Sequence, residues 1–314
     1  MIAVGIDVGG TSIKGAFVNE KGEILDLFSM KVDKKTPGKD IINSLCDIIE
    51  DLIKEKNYQI DGVGIGLPGL LDIDNGVVID LTNLPLWEDL HIAEIVSKRL
   101  HTVTKINNDA NVAALGEAKF GSASQYKNSI MITLGTGVGG GIIIDGKLYD
   151  GNKHQGGELG HMVIKVGGRK CGCGRNGCFE AYASATGLIK STLEAMEKHP
   201  ESLLHEVEKE LQGVDARNAF IAARRGDLVA TDVVNEYVMY LSEGLLNYSN
   251  ALRPEAFIIS GGVANEGEYL FNKIRDYIES YHYGMPRATK VDVVPASLGY
   301  DSGKIGAACL ILFK

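Results

Sequence analysis

Three of the chain's five cysteines fall within ten residues, in the stretch CGCGRNGCFE at 171–180. Thiolates bind zinc well, and a closed structural site takes four ligands. Cys171, Cys173 and Cys178 supply three, and His161 lies ten residues before Cys171 at the end of GGELGH. A short hairpin through MVIKVGGRK would bring that imidazole back to complete a Cys3His tetrahedron. The Cys-x-Cys spacing is tighter than the usual zinc-finger Cys-x2-Cys, so spacing alone leaves packed free thiols as an alternative. The glycines at 172, 174 and 177 favour metal, because a knuckle wrapped round an ion needs permissive backbone. A redox pair would want Cys-x-x-Cys, and no covalent chemistry here calls for a cysteine nucleophile. Glu158 stands three residues before His161 and Glu180 two after Cys178. An ion would therefore tie together segments carrying two carboxylates, and a metal-bound imidazole keeps its second nitrogen free to hydrogen-bond outward.

Two glycine-rich turns offer a second chemistry. DVGGTSIK (7–14) and LGTGVGGG (134–141) each place glycines where successive N–H groups can form a nest for anions. In the first, Gly9, Gly10, Thr11 and Lys14 would face phosphates; in the second, Gly135, Thr136 and Gly137. Neither has P-loop spacing, and tight hairpin geometry alone would also ask for glycine. A third pair, Gly261 and Gly262, follows another apolar strand. Three such turns suggest a nucleotide clamped between domains, with Asp7 at the end of the first strand placed to bind Mg2+ through water.

The stretch TKINNDANVAALGEAKF (104–120) reads as a short strand running into a helix, with Asp109 near the first turn. Phosphoryl transfer to an alcohol needs a carboxylate that orients the hydroxyl and takes its proton. A helix N-cap also wants a carboxylate there, and the residues alone favour the cap.

These groups must be positioned by regular elements. IAVGID, IKGAFV and EILDLF read as three strands joined by tight turns, and SIMITL, GTGVGG and GIIID repeat that grammar about 130 residues later. Residues 40–56 carry apolar side chains at helical spacing and lead into the strand-like GVGIGLPG. Helices are also predicted over 91–100, 231–252, 267–281 and 303–313, with strands at AFIIS and VDVVPA. Alternating strands and helices predict an α/β architecture of two similar domains. Cys46 and Cys309 sit in apolar helical patterns and read as packed hydrophobes. The 314 residues carry 32 basic and 41 acidic side chains, a net charge of −9, with no basic cluster, which argues against nucleic acid as a partner. No basic leader and no apolar run of about 20 residues is visible, so no membrane span and a cytoplasmic location are expected.

Taken together and in order, DVGGT, GLPG, NNDAN, LGTGVGGG, GELGH and CGCGRNGCFE resemble the ROK family of bacterial sugar kinases and related repressors, over essentially the whole chain. The resemblance implies the actin-like ATPase fold shared with hexokinases. Its domains would be a small one, 1–112 plus 298–314, and a larger zinc-bearing one, 113–297, with an interdomain cleft and a C-terminal helix that crosses back. It implies ATP and Mg2+ as cofactors, structural Zn2+ on His161, Cys171, Cys173 and Cys178, and Asp109 as the catalytic base. Sugar contacts would come from Gly69, Asn83, Asn108, Asp109, Glu158, His161 and Glu180. The nucleotide would lie along Asp7, Gly9, Gly10, Thr11, Lys14, Gly135, Thr136, Gly137, Gly261 and Gly262.

The NLPLW segment (83–87) is similar to one in the family's glucokinases, which makes the 6-hydroxyl of glucose the first expectation; fructose, mannose, allose or N-acetylmannosamine are alternatives. Trp87 reads as packing. A sugar-sensing repressor would be expected to carry a DNA-binding module before DxGGT, for which a motif starting at the seventh residue leaves no room, and a purely structural actin-like ATPase would leave GELGH and the cysteines without a purpose. A homodimer is implied only by the family's habit.

Overall fold

The computed structural model describes residues 1–81 and 84–313. The strands are β1 (Ile2–Val8), β2 (Ser12–Asn19), β3 (Ile24–Lys31), β4 (Gly62–Leu67), β5 (Leu70–Asp72), β6 (Val77–Asp80), β7 (Thr104–Asn108), β8 (Ser129–Leu134), β9 (Val138–Ile144), β10 (Lys147–Tyr149), β11 (Ala256–Ser260) and β12 (Asp292–Pro295). The helices are α1 (Gly38–Lys56), α2 (Ile92–Leu100), α3 (Asp109–Phe120), α4 (Glu180–Ala183), α5 (Ala185–Lys198), α6 (Leu204–Leu211), α7 (Arg217–Arg224), α8 (Leu228–Leu252), α9 (Glu268–Tyr281) and α10 (Ser302–Leu312).

One five-stranded sheet has the order β3-β2-β1-β4-β7 and the other β10-β9-β8-β11-β12, so the repeated grammar of the sequence becomes a repeated topology. In the first, β1 is antiparallel to β2 and parallel to β4, which is parallel to β7. The register sets Asp7 against Gly66 and Leu67 against Asn108. Both functional candidates thus stand at the carboxyl ends of parallel strands, where open α/β sheets bind their ligands. In the second sheet β8, β11 and β12 are parallel, and Ser260 pairs with Thr133. Gly135 and Gly261 therefore follow adjacent strand ends.

The chain divides into two compact units, 1–128 with 141–157 and 297–314, and 129–140 with 158–296. The first unit takes all of α3 and the 141–157 segment, whereas the sequence boundary placed residues from 113 onward in the other domain. The physical reason is close packing. A Cβ on Gly306 of α10 would stand 1.6 Å from the Val112 carbonyl oxygen of α3, and one on Gly141 would stand 2.4 Å from the Ala114 side chain.

Period-two alternation gives β1 its two faces. Val4, Ile6 and Val8 join Phe17, Ile42, Leu45, Ile49, Val63 and Trp87 in a core under α1, while Ala3, Ala16 and Ala308 pack on the α10 side. That second face is made of small residues because α10 lies directly on the strands: a Cβ on Gly64 would stand 1.8 Å from the Ala307 carbonyl oxygen. Cys46 and Cys309 are buried, as their patterns predict. Trp87 is buried too.

In the second unit α8 forms the spine, burying Tyr237, Leu241, Leu245 and Tyr248. Its N-cap, Asp227, accepts from the Ala230 amide at 2.6 Å. No described helix is long and apolar enough to cross a membrane.

Candidate functional site

In the first unit, Asp7 is the penultimate residue of β1 and Asp109 opens α3. The side chain of Asn108, not Asp109, caps this helix: its Oδ1 accepts from the amides of Ala110 (2.9 Å) and Asn111 (3.4 Å). Asn107 braces the same junction by accepting from the Asn108 amide at 2.7 Å and from Asn111 Nδ2 at 3.0 Å. Relieved of the capping duty, the Asp109 carboxylate accepts from the adjacent Ala110 amide, at 2.7 Å. Burial raises its pKa from the usual carboxylate value, against the lowering effect of the backbone bonds. A carboxylate with a raised pKa is a better proton acceptor, as a general base requires.

Asp7 is raised as well, first by burial and next by the charge of Asp109, while Lys304 and Lys14 pull it down. The two carboxylates are thus close enough to feel each other. The turn after Asp7 is closed by the Gly9 amide donating to Ser12 O at 2.9 Å, and Thr11 O accepts from the Val32 amide at 3.0 Å. Lys14 lies opposite Asp7 in the β1–β2 pairing and is exposed. Gly69 has φ of +87°, and a Cβ there would stand 2.5 Å from the Asp80 carbonyl oxygen, so backbone geometry accounts for this glycine. Asn83 lies outside the described residues.

The second unit carries the cysteine knuckle. Antiparallel bridges Val163–Cys178 and Lys170–Asn176 fold the 162–178 segment back on itself, and the Cys171 amide donates to Arg175 O at 2.9 Å. Gly177 makes the fold-back possible with φ of +83°; a Cβ would stand 1.7 Å from Lys165 O. His161, Cys171, Cys173 and Cys178 then present four ligand atoms all within 4.8 Å of one another. Cys173 Sγ and Cys178 Sγ are 3.6 Å apart, as are Cys171 Sγ and His161 Nδ1. A tetrahedron with Zn–S near 2.3 Å has edges of about 3.8 Å, so the residues fit zinc. Burial pushes the Cys171 thiol up to about 12 and raises Cys178, so a cation is what would hold both as thiolates. His161 turns Nδ1 to the thiols, which leaves Nε2 for an outward bond.

Glu180 links this knuckle to the second glycine turn. Its Oε1 accepts from Cys171 Sγ at 3.5 Å and its Oε2 from the Val138 amide at 3.0 Å. Gly137 leaves room for that carboxylate, since a Cβ would stand 2.4 Å from Oε2. The turn is further held by Gly135 O accepting from the Ala185 amide at 2.9 Å and Thr136 O from Thr186 Oγ1 at 2.7 Å. Gly135 and Gly262 face open space, while Gly261, with φ of +91°, packs against Leu134. Glu158 is exposed; its carbonyl accepts from the His161 amide at 3.1 Å, and Leu159 behind it is buried with its carbonyl taking the Tyr248 hydroxyl.

The structure therefore assembles Asp7, Asn108 and Asp109 in the first unit, and Glu180, the second turn and the four metal ligands in the other. Sequence reasoning missed two buried charged residues, of which Lys304 acts on Asp7. Glu117 is fully buried and accepts from Ser122, Ser297 and Leu298, the last at 2.8 Å from its amide. Lys304 is buried in the first turn of α10. A carboxylate and an ammonium inside otherwise apolar helical patterns were the only signals available.

The family model described as ROK family matches residues 3–314. A glucokinase of Halalkalibacterium halodurans is 37% identical over 314 residues, covering 98% of this chain and 94% of the relative. One from Thermotoga maritima is 34% identical, covering 98% and 96%. The crystal structure of a ROK family glucokinase from Streptomyces griseus in complex with glucose and AMPPNP superimposes with a TM-score of 0.81 at 32% identity, covering 99% of each chain. The fold is accordingly the actin-like fold of the hexokinases.

Proposed function

The chain belongs to the ROK family, and from that premise we infer that it is a glucokinase, transferring the γ-phosphoryl group of ATP to the 6-hydroxyl of glucose. The observation that carries this reading is the Asp109 junction. A carboxylate freed from capping by Asn108, raised in pKa by burial and standing near Asp7, occurs in a chain similar throughout to proteins named glucokinase.

Asp109 accepts the proton of the 6-hydroxyl as that oxygen bonds to the γ-phosphorus and the bond to the ADP oxygen breaks. Asn108 and Gly69 with Asn83, and Glu158, His161 and Glu180, are the assigned sugar contacts. The nests of Gly9, Gly10 and Thr11 with Lys14, and of Gly135, Thr136 and Gly137, receive phosphates, with Gly261 and Gly262 toward the adenosine. Asp7 would hold Mg2+ through water, and the metal when bound neutralises charge on the phosphates. His161, Cys171, Cys173 and Cys178 would hold Zn2+ with no open position, so their part is to fix the His161 ring and the Glu180 segment.

We assign the protein to the cytoplasm, without nucleic acid as a partner; a net charge of −9 supports the second point. A homodimer would sediment at twice 33.7 kDa. Phosphorus NMR of the product from glucose, ATP and Mg2+ tests the reaction. Glucose 6-phosphate is expected; phosphorylation at another hydroxyl would overturn the placement of the base.

A further inference from the structure

Lys304 is the only buried lysine or arginine among the described residues, its side chain 7% exposed. Taking an ammonium out of water is costly unless charges compensate it. The side chain runs back toward the start of α10, as helical side chains do. There its Nζ lies 2.6 Å from Asp301 Oδ1 and 3.4 Å from Tyr300 O. Asp301 itself is nearly half exposed. The same turn of helix rests on the end of β1: a Cβ on Gly303 would stand 3.0 Å from Asp7 Cγ, and one on Gly5 would stand 1.8 Å from Lys304 O. Lys304 is thus the inner cation of a cluster that holds Asp7, Asp109 and Asp301, with exposed Lys14 as the outer one.

Three carboxylates against two ammoniums leave this cluster one negative charge in excess; without Lys304 the excess would be two. A polyphosphate meets less repulsion in the first case. We propose that Lys304 is a positioning residue of the nucleotide site, its buried ammonium offsetting Asp7 and Asp301 so that the phosphates of the nucleotide are accepted beside the first glycine turn. This rests on the reading of that turn as the phosphate site, and does not depend on which sugar is used.

Electrostatics gives the test two arms of opposite sign. Lys304→Met should weaken binding of metal-free ATP, measured by calorimetry in EDTA, by at least about tenfold. Binding of Mg2+ alone to the nucleotide-free protein should be no weaker, because a repelling charge has gone. Lys304→Arg should restore ATP affinity to within about threefold of wild type, and Asp301→Asn, which removes a negative charge, should bind ATP at least as well as wild type. Should the methionine variant not fold, Lys304→Gln, neutral but still able to donate to Asp301, makes the same charge comparison and should lose ATP affinity to a similar extent. Unchanged ATP affinity in Lys304→Met, or parallel loss of ATP and Mg2+ binding, overturns the proposal, the latter marking a merely structural role. Wild type that binds ATP while no hexose raises its turnover would sink the sugar-kinase reading and leave Lys304 standing; wild type that binds no ATP would sink both.

Discussion

An ionised carboxylate at position 109 costs the folded protein stability, because burial raises its proton affinity above that of the unfolded chain. The favourable contribution of such a group is complete below the ordinary carboxylate pKa and is lost as pH rises through the raised folded value. Asp109→Asn should therefore raise the melting temperature near neutral pH while lowering kcat by roughly 10^2–10^4-fold, seen by calorimetry and ADP release on one preparation. The same shift fixes the sign of the pH profile. Activity should climb with pH as Asp109 ionises, with an acid limb above the ordinary carboxylate range that kinetics from pH 4 to 8 would trace. At this scale the sequence made Asp109 visible but not its duty. Asn and Asp both suit a cap, and only the bonds from Ala110 and Asn111 to Asn108 separate them.

The knuckle and α3 show what elements contribute. Cys178→Ser removes one corner of the tetrahedron while leaving the backbone bridges, so zinc content by atomic absorption should fall together with kcat, because His161 and the segment that leads from Cys178 to Glu180 lose their common anchor. Retained activity without zinc would show that the ion is dispensable to the site. In α3, Glu117→Ala leaves the amides of Ser122, Ser297 and Leu298 without their acceptor in the interior. A loss on the order of 3 kcal/mol is expected by denaturant titration, with Glu117→Gln losing less because one acceptor oxygen remains. The knuckle was legible because four ligands of two types and three glycines are crowded into a short stretch. Glu117 was not, since a single acid in a helix looks solvated until the C-terminal segment is seen to pack on it.

At the scale of the molecule, the repeat read from two glycine turns returns as two sheets of the same strand order. The alternation of apolar strands with helices was enough to give that plan. The boundary between the units was harder to read, because whether α3 goes with one sheet or the other depends on a close backbone approach, that of Gly306 to the Val112 carbonyl. The helices α5 to α7 carry amphipathic patterns that the sequence reading passed over, and α5 and α7 pack on α8. Ligand linkage supplies a whole-molecule expectation. Glucose at a hundred times its dissociation constant should stabilise the protein by about 2.7 kcal/mol, visible as a rise of several degrees in melting temperature.

The most direct measurement is ADP release from ATP and Mg2+ with a panel of hexoses, run on the wild type and on Asp109→Ala. The account predicts rapid turnover with glucose that the substitution abolishes while zinc content and fold are kept. Turnover of the alanine variant at the wild-type rate, or a wild type that no hexose lifts above background, would contradict it.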